Sequence, residues 1–420
     1  MKLRHLGPGI LLAATSVGAS HILMSPEAGA RFEYRLIWLV LLVHLFKYPA
    51  FEAAPRYVAA RGESLLEAYA RAPGPRHWAL WMGLVDMVLQ AVGVLAALVG
   101  LTASFLVATV GRLSLPAWSL VLCLLLLAAL RWGRYASLRA VNLLLMLALA
   151  LGTLLAFAAA PPPAAALGEM LRPSLPAGSV VLVAAILGYM PTSVAVSIWQ
   201  SLWALEQGRF RAGRQEPRRE RLARGLFDLR LGYALSAVLA VVFVCLGGRL
   251  LHPLGLVPEG PQVALTLSNL YTEVLGEWMR PVFLTMAFCA LLTTCYTSMD
   301  GFPRTFVAAL RVLRGQPAVA PPGEPPSRFY WPFLLFATFG GMALLALVPD
   351  PPTVVKGVGA FGLLLSPFYF ALNLWAVTRG IEDPAFRPSR WVLATSVAGI
   401  GVLILAAALL IWTLFLPTAP

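Results

Sequence analysis

Charged residues are scarce in this 420-residue chain, at 12% of the total. Only five histidines and four cysteines are present. So little charge excludes an ordinary soluble domain, whose surface needs about a quarter of its residues charged. Cys123, Cys245, Cys289 and Cys295 sit in apolar runs without a CxxC pair; they are expected to be small buried hydrophobes, uninformative about redox compartment. HExxH, GxSxG and glycine-rich phosphate loops are also missing. No Ser/His/Asp trio is defensible on spacing, and the polar loops are too short for a catalytic domain. The expectation is therefore a protein that is not an enzyme and holds no cofactor.

What the chain has is hydrophobicity, at 59% of residues. Apolar runs of about 20 residues are long enough to cross a bilayer core of roughly 30 Å. Eleven candidate spans emerge, at 7–30, 36–55, 79–108, 116–131, 140–160, 179–203, 226–248, 281–300, 329–348, 353–378 and 391–416. The fold class is thus an all-α multi-pass membrane protein of about 11 helices. No signal-peptide pattern precedes the first span, so that span is expected to be retained. The third is long enough to tilt or to emerge from the membrane.

The net charge of +13 is explained by placement rather than by nucleic acid. With the N-terminus inside, each cytoplasmic loop carries more Lys and Arg than its outer neighbours, as membrane insertion favours. The most basic loop, GRFRAGRQEPRRERLARG (Gly208–Gly225), reads as a topology signal lying on anionic headgroups. SLLEAYARA (Ser64–Ala72) reads as a short amphipathic helix on the inner surface. QPAVAPPGEPPS (Gln316–Ser327) and AAPPPAAA (Ala159–Ala166) read as proline-rich connectors. The location expected is the cell membrane, with lipid as the surrounding partner.

Two spans are poor helices at their centres. The first carries Gly18, Ser20, His21, Ser25, Pro26 and Glu27 within ten residues. The sixth, ILGYMPTSVAVSIWQSLW, places Gly188, Pro191, Thr192 and Ser193 in mid-membrane. Proline removes a helical hydrogen bond and glycine weakens the helix further. Bared backbone at that depth is tolerated only inside protein or beside a watery cavity. Spans one and six open two successive five-span groups, and paired interruptions of this kind mark the binding site of inverted-repeat transporters. The expected organisation is one transmembrane domain over 1–420, with repeats at 7–160 and 179–378 and an additional helix at 391–416.

These residues resemble the natural resistance-associated macrophage protein (Nramp) family of divalent-metal transporters. The resemblance rests on GPGILLAA opening the first span, AGARFEYRLIWLVLL leading into the second, GYMPTS in the sixth and MDGFP ending the eighth. It implies a LeuT-like five-plus-five inverted repeat with helices 1 and 6 interrupted, and substrate held between them with alternating access. The family's Asp-Pro-Gly-Asn motif falls on Gly18-Ala19-Ser20-His21, so its metal-binding aspartate is a glycine here. The family's Met-Pro-His becomes Met190-Pro191-Thr192, and a further family histidine falls on Ser197. The acidic pair of the third span falls on Met87 and Gln90, with Asp86 one residue away.

Several readings stay open at this stage. In the first, a transported divalent metal ion is held by His21 and Met190, with Thr192 and carbonyls near Gly18 and Gly188. Nitrogen and sulfur donors of that kind favour copper or zinc. Glu27 or Asp86 would then supply the missing negative charge. In the second, opposed half-helix ends bind a neutral or anionic solute, with Ser20, His21 and Tyr189 as hydrogen-bonding groups. A third class is a membrane sensor that binds without transporting. Glu27, Asp86 and Asp300 are candidates for coupling or gating. Lys47 is placed near the inner end of span two, and Glu52 and Arg56 have the spacing of a helical ion pair.

Overall fold

A computed structural model describes residues 18–132, 135–210, 217–321, 323–325 and 327–415. Residues 7–17, including GPGILLAA, lie outside the described residues, as does the centre of the basic loop.

Every described apolar segment forms a helix. A bend at Gly18 leads through a π-helical turn, Ser20–Met24, into α1 (Ser25–Phe32). Then follow α2 (Ile37–Arg61), α3 (Leu65–Ala70), α4 (Trp78–Thr109), α5 (Leu115–Trp132) and α6 (Tyr135–Ala159). The second half contains α7 (Val180–Tyr189), α8 (Val196–Phe210), α9 (Arg218–Leu246), α10 (Val263–Leu275) and α11 (Met279–Leu313). The chain ends with α12 (Tyr330–Leu347), α13 (Pro351–Arg379) and α14 (Arg390–Phe415). Among the described residues, eight helices are long and apolar enough to span a membrane. A ninth span is α6, whose chain bends by 108° into a short helical stretch at 164–170. The sixth span of the sequence reading is built from two separate helices, and the described part of the first runs from the bend at Gly18 through the π-helical turn into α1.

Burial separates the core helices from those facing lipid. The most apolar window of α4 is 78% buried, against 22% for α5 and 28% for α14. Exposed Leu124, Leu125, Leu405 and Trp412 accordingly lie on α5 and α14. Around α4 pack α11, α12 and α13, while α13 also covers α7.

Small residues set the closest crossings, because lipid tails give apolar side chains no reason to prefer protein. A Cβ on Gly29 would lie 2.1 Å from Val244 O, and one on Gly247 would lie 2.3 Å from Pro26 O. Backbone therefore touches backbone where α1 meets the end of α9.

Three expectations need correcting. The segment 64–72 does form a short helix, opened by a capping box between Ser64 and Glu67. It is tucked into the protein instead of lying on the membrane, since Leu65, Leu66 and Tyr69 are buried. The Tyr69 hydroxyl donates to Asn373 Oδ1 at 2.6 Å, which anchors α3 to α13. The second correction is α10, a buried helix in what reads as an outer loop; its hydroxyl-rich pattern hid an apolar face of Leu267, Leu270 and Tyr271. The third concerns Lys47, which lies in mid-helix because α2 continues to Arg61 through Pro49 and Pro55. Arg56 pairs with Glu52 as the spacing predicts, and also donates to Phe386 O and Arg387 O.

Candidate functional site

The sixth span breaks where its proline requires. Helix α7 stops at Tyr189, Met190 turns extended (φ −104°, ψ 132°), and helix resumes only at Val196. Beside this break lies the bend at Gly18, whose carbonyl accepts from His21 N at 3.1 Å and Ile22 N at 2.9 Å. Ser20 Oγ approaches Pro191 O to 3.4 Å, so the two irregular segments meet.

A cavity of about 100 Å³ opens at this meeting point. Ser20 contributes from the first span, and Tyr189, Thr192 and Ser193 from the break. Asp86, Met87 and Gln90 reach it from α4, Thr294 and Ser298 from α11, and Tyr369 from α13. Val94, Leu98, Ile198, Trp199 and Phe302 make the wall largely apolar.

Asp86 is the one carboxylate on this lining among the described residues, and it is 3% exposed. Tyr369 OH donates to its Oδ2 at 2.6 Å. Its Oδ1 is buried without a hydrogen-bond partner. An orphaned carboxylate oxygen is costly in such surroundings unless something binds it. Gln90, one turn along, accepts from Tyr189 OH at 2.7 Å, which joins α4 to the break. Asp86, Met87 and Gln90 thus share the cavity face, although Asp86 stands one residue from the positions of the family's acidic pair.

The other candidates occupy distinct places. His21 is fully buried and does not line the cavity. Its Nε2 donates to Ser236 O at 3.0 Å, which leaves Nδ1 to accept from Ser20 Oγ at 3.0 Å. The ring thereby fastens the first span to α9. Met190 is also fully buried and absent from the lining, and it contributes its carbonyl to the break. Gly188 packs against α13, where a Cβ would meet Gly359 O at 1.9 Å. The structure therefore brings Ser20, Tyr189, Thr192 and Asp86 together around the cavity and leaves the His21 and Met190 side chains outside it. Groups of three or more His, Cys, Asp or Glu able to hold a metal are absent among the described residues.

Replacing His21 by Ala is consequently expected to lower stability, by about 1–3 kcal/mol for buried hydrogen bonds left open. Substrate affinity should stay near wild type. Melting temperature and KM measured together check this, and a change in KM without loss of stability would contradict it.

Glu27 and Asp300 lie away from the cavity, each in an ion cluster. Glu27 Oε1 accepts from Arg31 Nε at 2.9 Å and Lys356 Nζ at 2.7 Å, linking α1 to α13. Asp300 accepts from Arg304 Nε and from Tyr330 OH, each at 2.6 Å, and Arg304 reaches Glu206 on α8 at 3.5 Å. Ser197, the position of a family histidine, is buried and accepts from Asn373 Nδ2 at 2.8 Å. Lys47, placed by the sequence reading at the inner end of its span, instead points at the break. Its signal was plain: a lysine in an otherwise apolar stretch of helix.

Comparison with known proteins identifies the architecture. A model of the family described as natural resistance-associated macrophage protein-like matches residues 9–413. An uncharacterised protein of Pasteurella multocida is 28% identical over 394 residues, covering 90% of this chain and 86% of that protein. The protein named divalent metal cation transporter MntH of Yersinia pestis is 26% identical over 320 residues, covering 73% of this chain and 75% of its own. A crystal structure of the Eremococcus coleocola manganese transporter superposes with a TM-score of 0.69 at 15% identity, covering 99% of this chain and 88% of that one. MhsT in complex with L-phenylalanine gives a TM-score of 0.62 at 12% identity, covering 95% and 98%. At such low identity the superpositions speak for the fold alone, and that fold is the LeuT-like arrangement of interrupted helices 1 and 6. A family match over nearly the whole sequence goes further: the chain belongs to the Nramp family of multi-pass membrane transporters.

Proposed function

We propose that this protein is a secondary transporter of a divalent metal ion, carried with part of its water shell in the cavity between the two breaks. The observation that carries the reading is Asp86 Oδ1, a buried carboxylate oxygen without a partner on the cavity wall. A dehydrated divalent ion needs compensating charge, and Gly18 cannot provide it. Asp86 can, supported by neutral oxygens on Ser20, Gln90, Thr192, Ser193, Thr294 and Ser298.

Apart from the thioethers of Met24 and Met87 on the wall, that donor set is made of oxygen. Hard ions that keep several waters and take one or two carboxylates suit it, which favours manganese or magnesium over copper or zinc. The names of MntH and of the manganese transporter support a divalent metal in this fold. The Glu27–Arg31–Lys356 and Asp300–Arg304–Glu206 clusters act as outer and inner gates in this reading, with the N-terminus cytoplasmic and the repeats at 7–160 and 179–378. Alternating access then opens one cluster while the other stays closed.

Purified protein in liposomes is expected to show saturable uptake of manganese or magnesium, with copper and zinc weaker. Flat uptake across the panel, with no heat of binding, overturns the reading. The apolar wall formed by Trp199, Phe302 and Leu98 favours a second one, a small neutral solute on the same scaffold; the Asp86 charge opposes an anionic cargo. Thermal stabilisation by a metabolite without any metal response would select it. Binding without flux would instead indicate a sensor.

A further inference from the structure

Lys47 is fully buried at the centre of α2, and its ammonium faces four backbone carbonyls. Nζ lies 3.1 Å from Leu187 O, 3.0 Å from Gly188 O, 3.0 Å from Met190 O and 2.8 Å from Thr192 O. Two of these acceptors are last-turn carbonyls of α7, where the helix dipole is negative and hydrogen-bond partners run out. The other two belong to the non-helical turn that follows. Among the described residues, the ion pairs leave Lys47 without a carboxylate.

Four acceptors with no donor among them specify a charged group. A neutral amine would aim its lone pair at a carbonyl, whereas an ammonium presents only N–H. Burying that charge costs several kcal/mol even after relaxation. The converging carbonyls and the helix end offset the cost, as they would for a free monovalent ion. The cage also spans both sides of the break, so its occupant fixes how the end of α7 meets the turn.

We infer that the break in the sixth span is a monovalent-cation site whose occupant is built into the chain: Lys47 stands where an exchangeable ion would otherwise bind. The transporter then draws on no free monovalent cation at this position, and removing the side chain turns the cage into a site for one. This holds whichever substrate fills the neighbouring cavity, because none of the four contacts involves a cavity side chain.

Two measurements test it. The first uses the wild-type protein in liposomes and detergent, with sodium replaced by potassium or choline. Melting temperature and, once a substrate is in hand, uptake are expected to be unchanged. A sodium-dependent rise in either overturns the inference. The second uses Lys47→Ala, prepared from lysis onward in parallel with choline, sodium, potassium or propylammonium. In choline its melting temperature should fall by roughly 5 °C or more, or its folded yield should be lost. At least one of the three smaller cations should restore half of the deficit while leaving wild type unmoved. A variant as stable as wild type in choline, or one rescued by none of the three, overturns the inference. Lys47→Arg retains the charge and is expected to lose less than Lys47→Ala in choline; an equal loss overturns it as well.

Discussion

Asp86→Asn is expected to cut substrate affinity and uptake by roughly 10- to 100-fold, the equivalent of one charged hydrogen bond or ion contact. The substitution keeps size and shape and removes only the charge. Tyr369 OH can still donate to the amide oxygen that replaces Oδ2, so the link between α4 and α13 survives. What is lost is the single negative charge on the cavity lining among the described residues. Stability should move the other way or stay level, because a buried carboxylate with one unpartnered oxygen is expensive to fold. Metal binding by calorimetry, uptake in liposomes and melting temperature together identify this pattern. Wild-type uptake in Asp86→Asn would remove the charge from the mechanism and with it the case for a divalent cargo. Lost uptake accompanied by lower stability would make Asp86 a structural group instead.

Much of this arrangement is legible in the residues. Pro191 after Gly188 announces the break in the sixth span, since neither a lost backbone donor nor a bared carbonyl can face lipid. The site's chemistry was harder to read for reasons of geometry. Motif alignment carries His21 and Met190 to the family's metal positions, but alignment gives sequence position and says nothing about side-chain direction. His21 turns toward Ser236 on a helix more than 200 residues away, a contact no local pattern encodes. Asp86 and Gln90 are four apart and so share a helix face, which the spacing itself stated. Reading Asp86 against a one-residue offset from the family pair obscured that. Ending span two at 55 places Lys47 near its inner end, whereas the helix runs six residues further, to Arg61, with Pro49 and Pro55 inside it. The buried helix α10 escaped because a short segment rich in Ser and Thr resembles a loop when its covering partners are unknown.

Gly188→Ala should be more damaging than any cavity substitution except that of Asp86, and through a different route. The added methyl would sit 1.9 Å from Gly359 O and 2.8 Å from Leu363 N, both backbone atoms of α13. Backbone inside a packed helix cannot swing aside as a side chain would, so α7 and α13 must separate. Separation opens voids along the whole crossing, and overpacking in tight cores costs typically 1–3 kcal/mol or more before such voids are counted. The shift also displaces Gly188 O, one of the carbonyls on Lys47. Folded yield and melting temperature should both drop sharply, and uptake should fall with them. Gly357→Ala on the same α13 supplies the control: no atom lies within 4 Å of its added Cβ, and the site is exposed. Exchanging an exposed helical glycine for alanine should leave stability level or raise it by about 0.5–1 kcal/mol. Equal behaviour of the two variants would mean that the α7–α13 crossing is looser than backbone contact allows. The break would then lack the rigid wall against which the carbonyls of the sixth span are held.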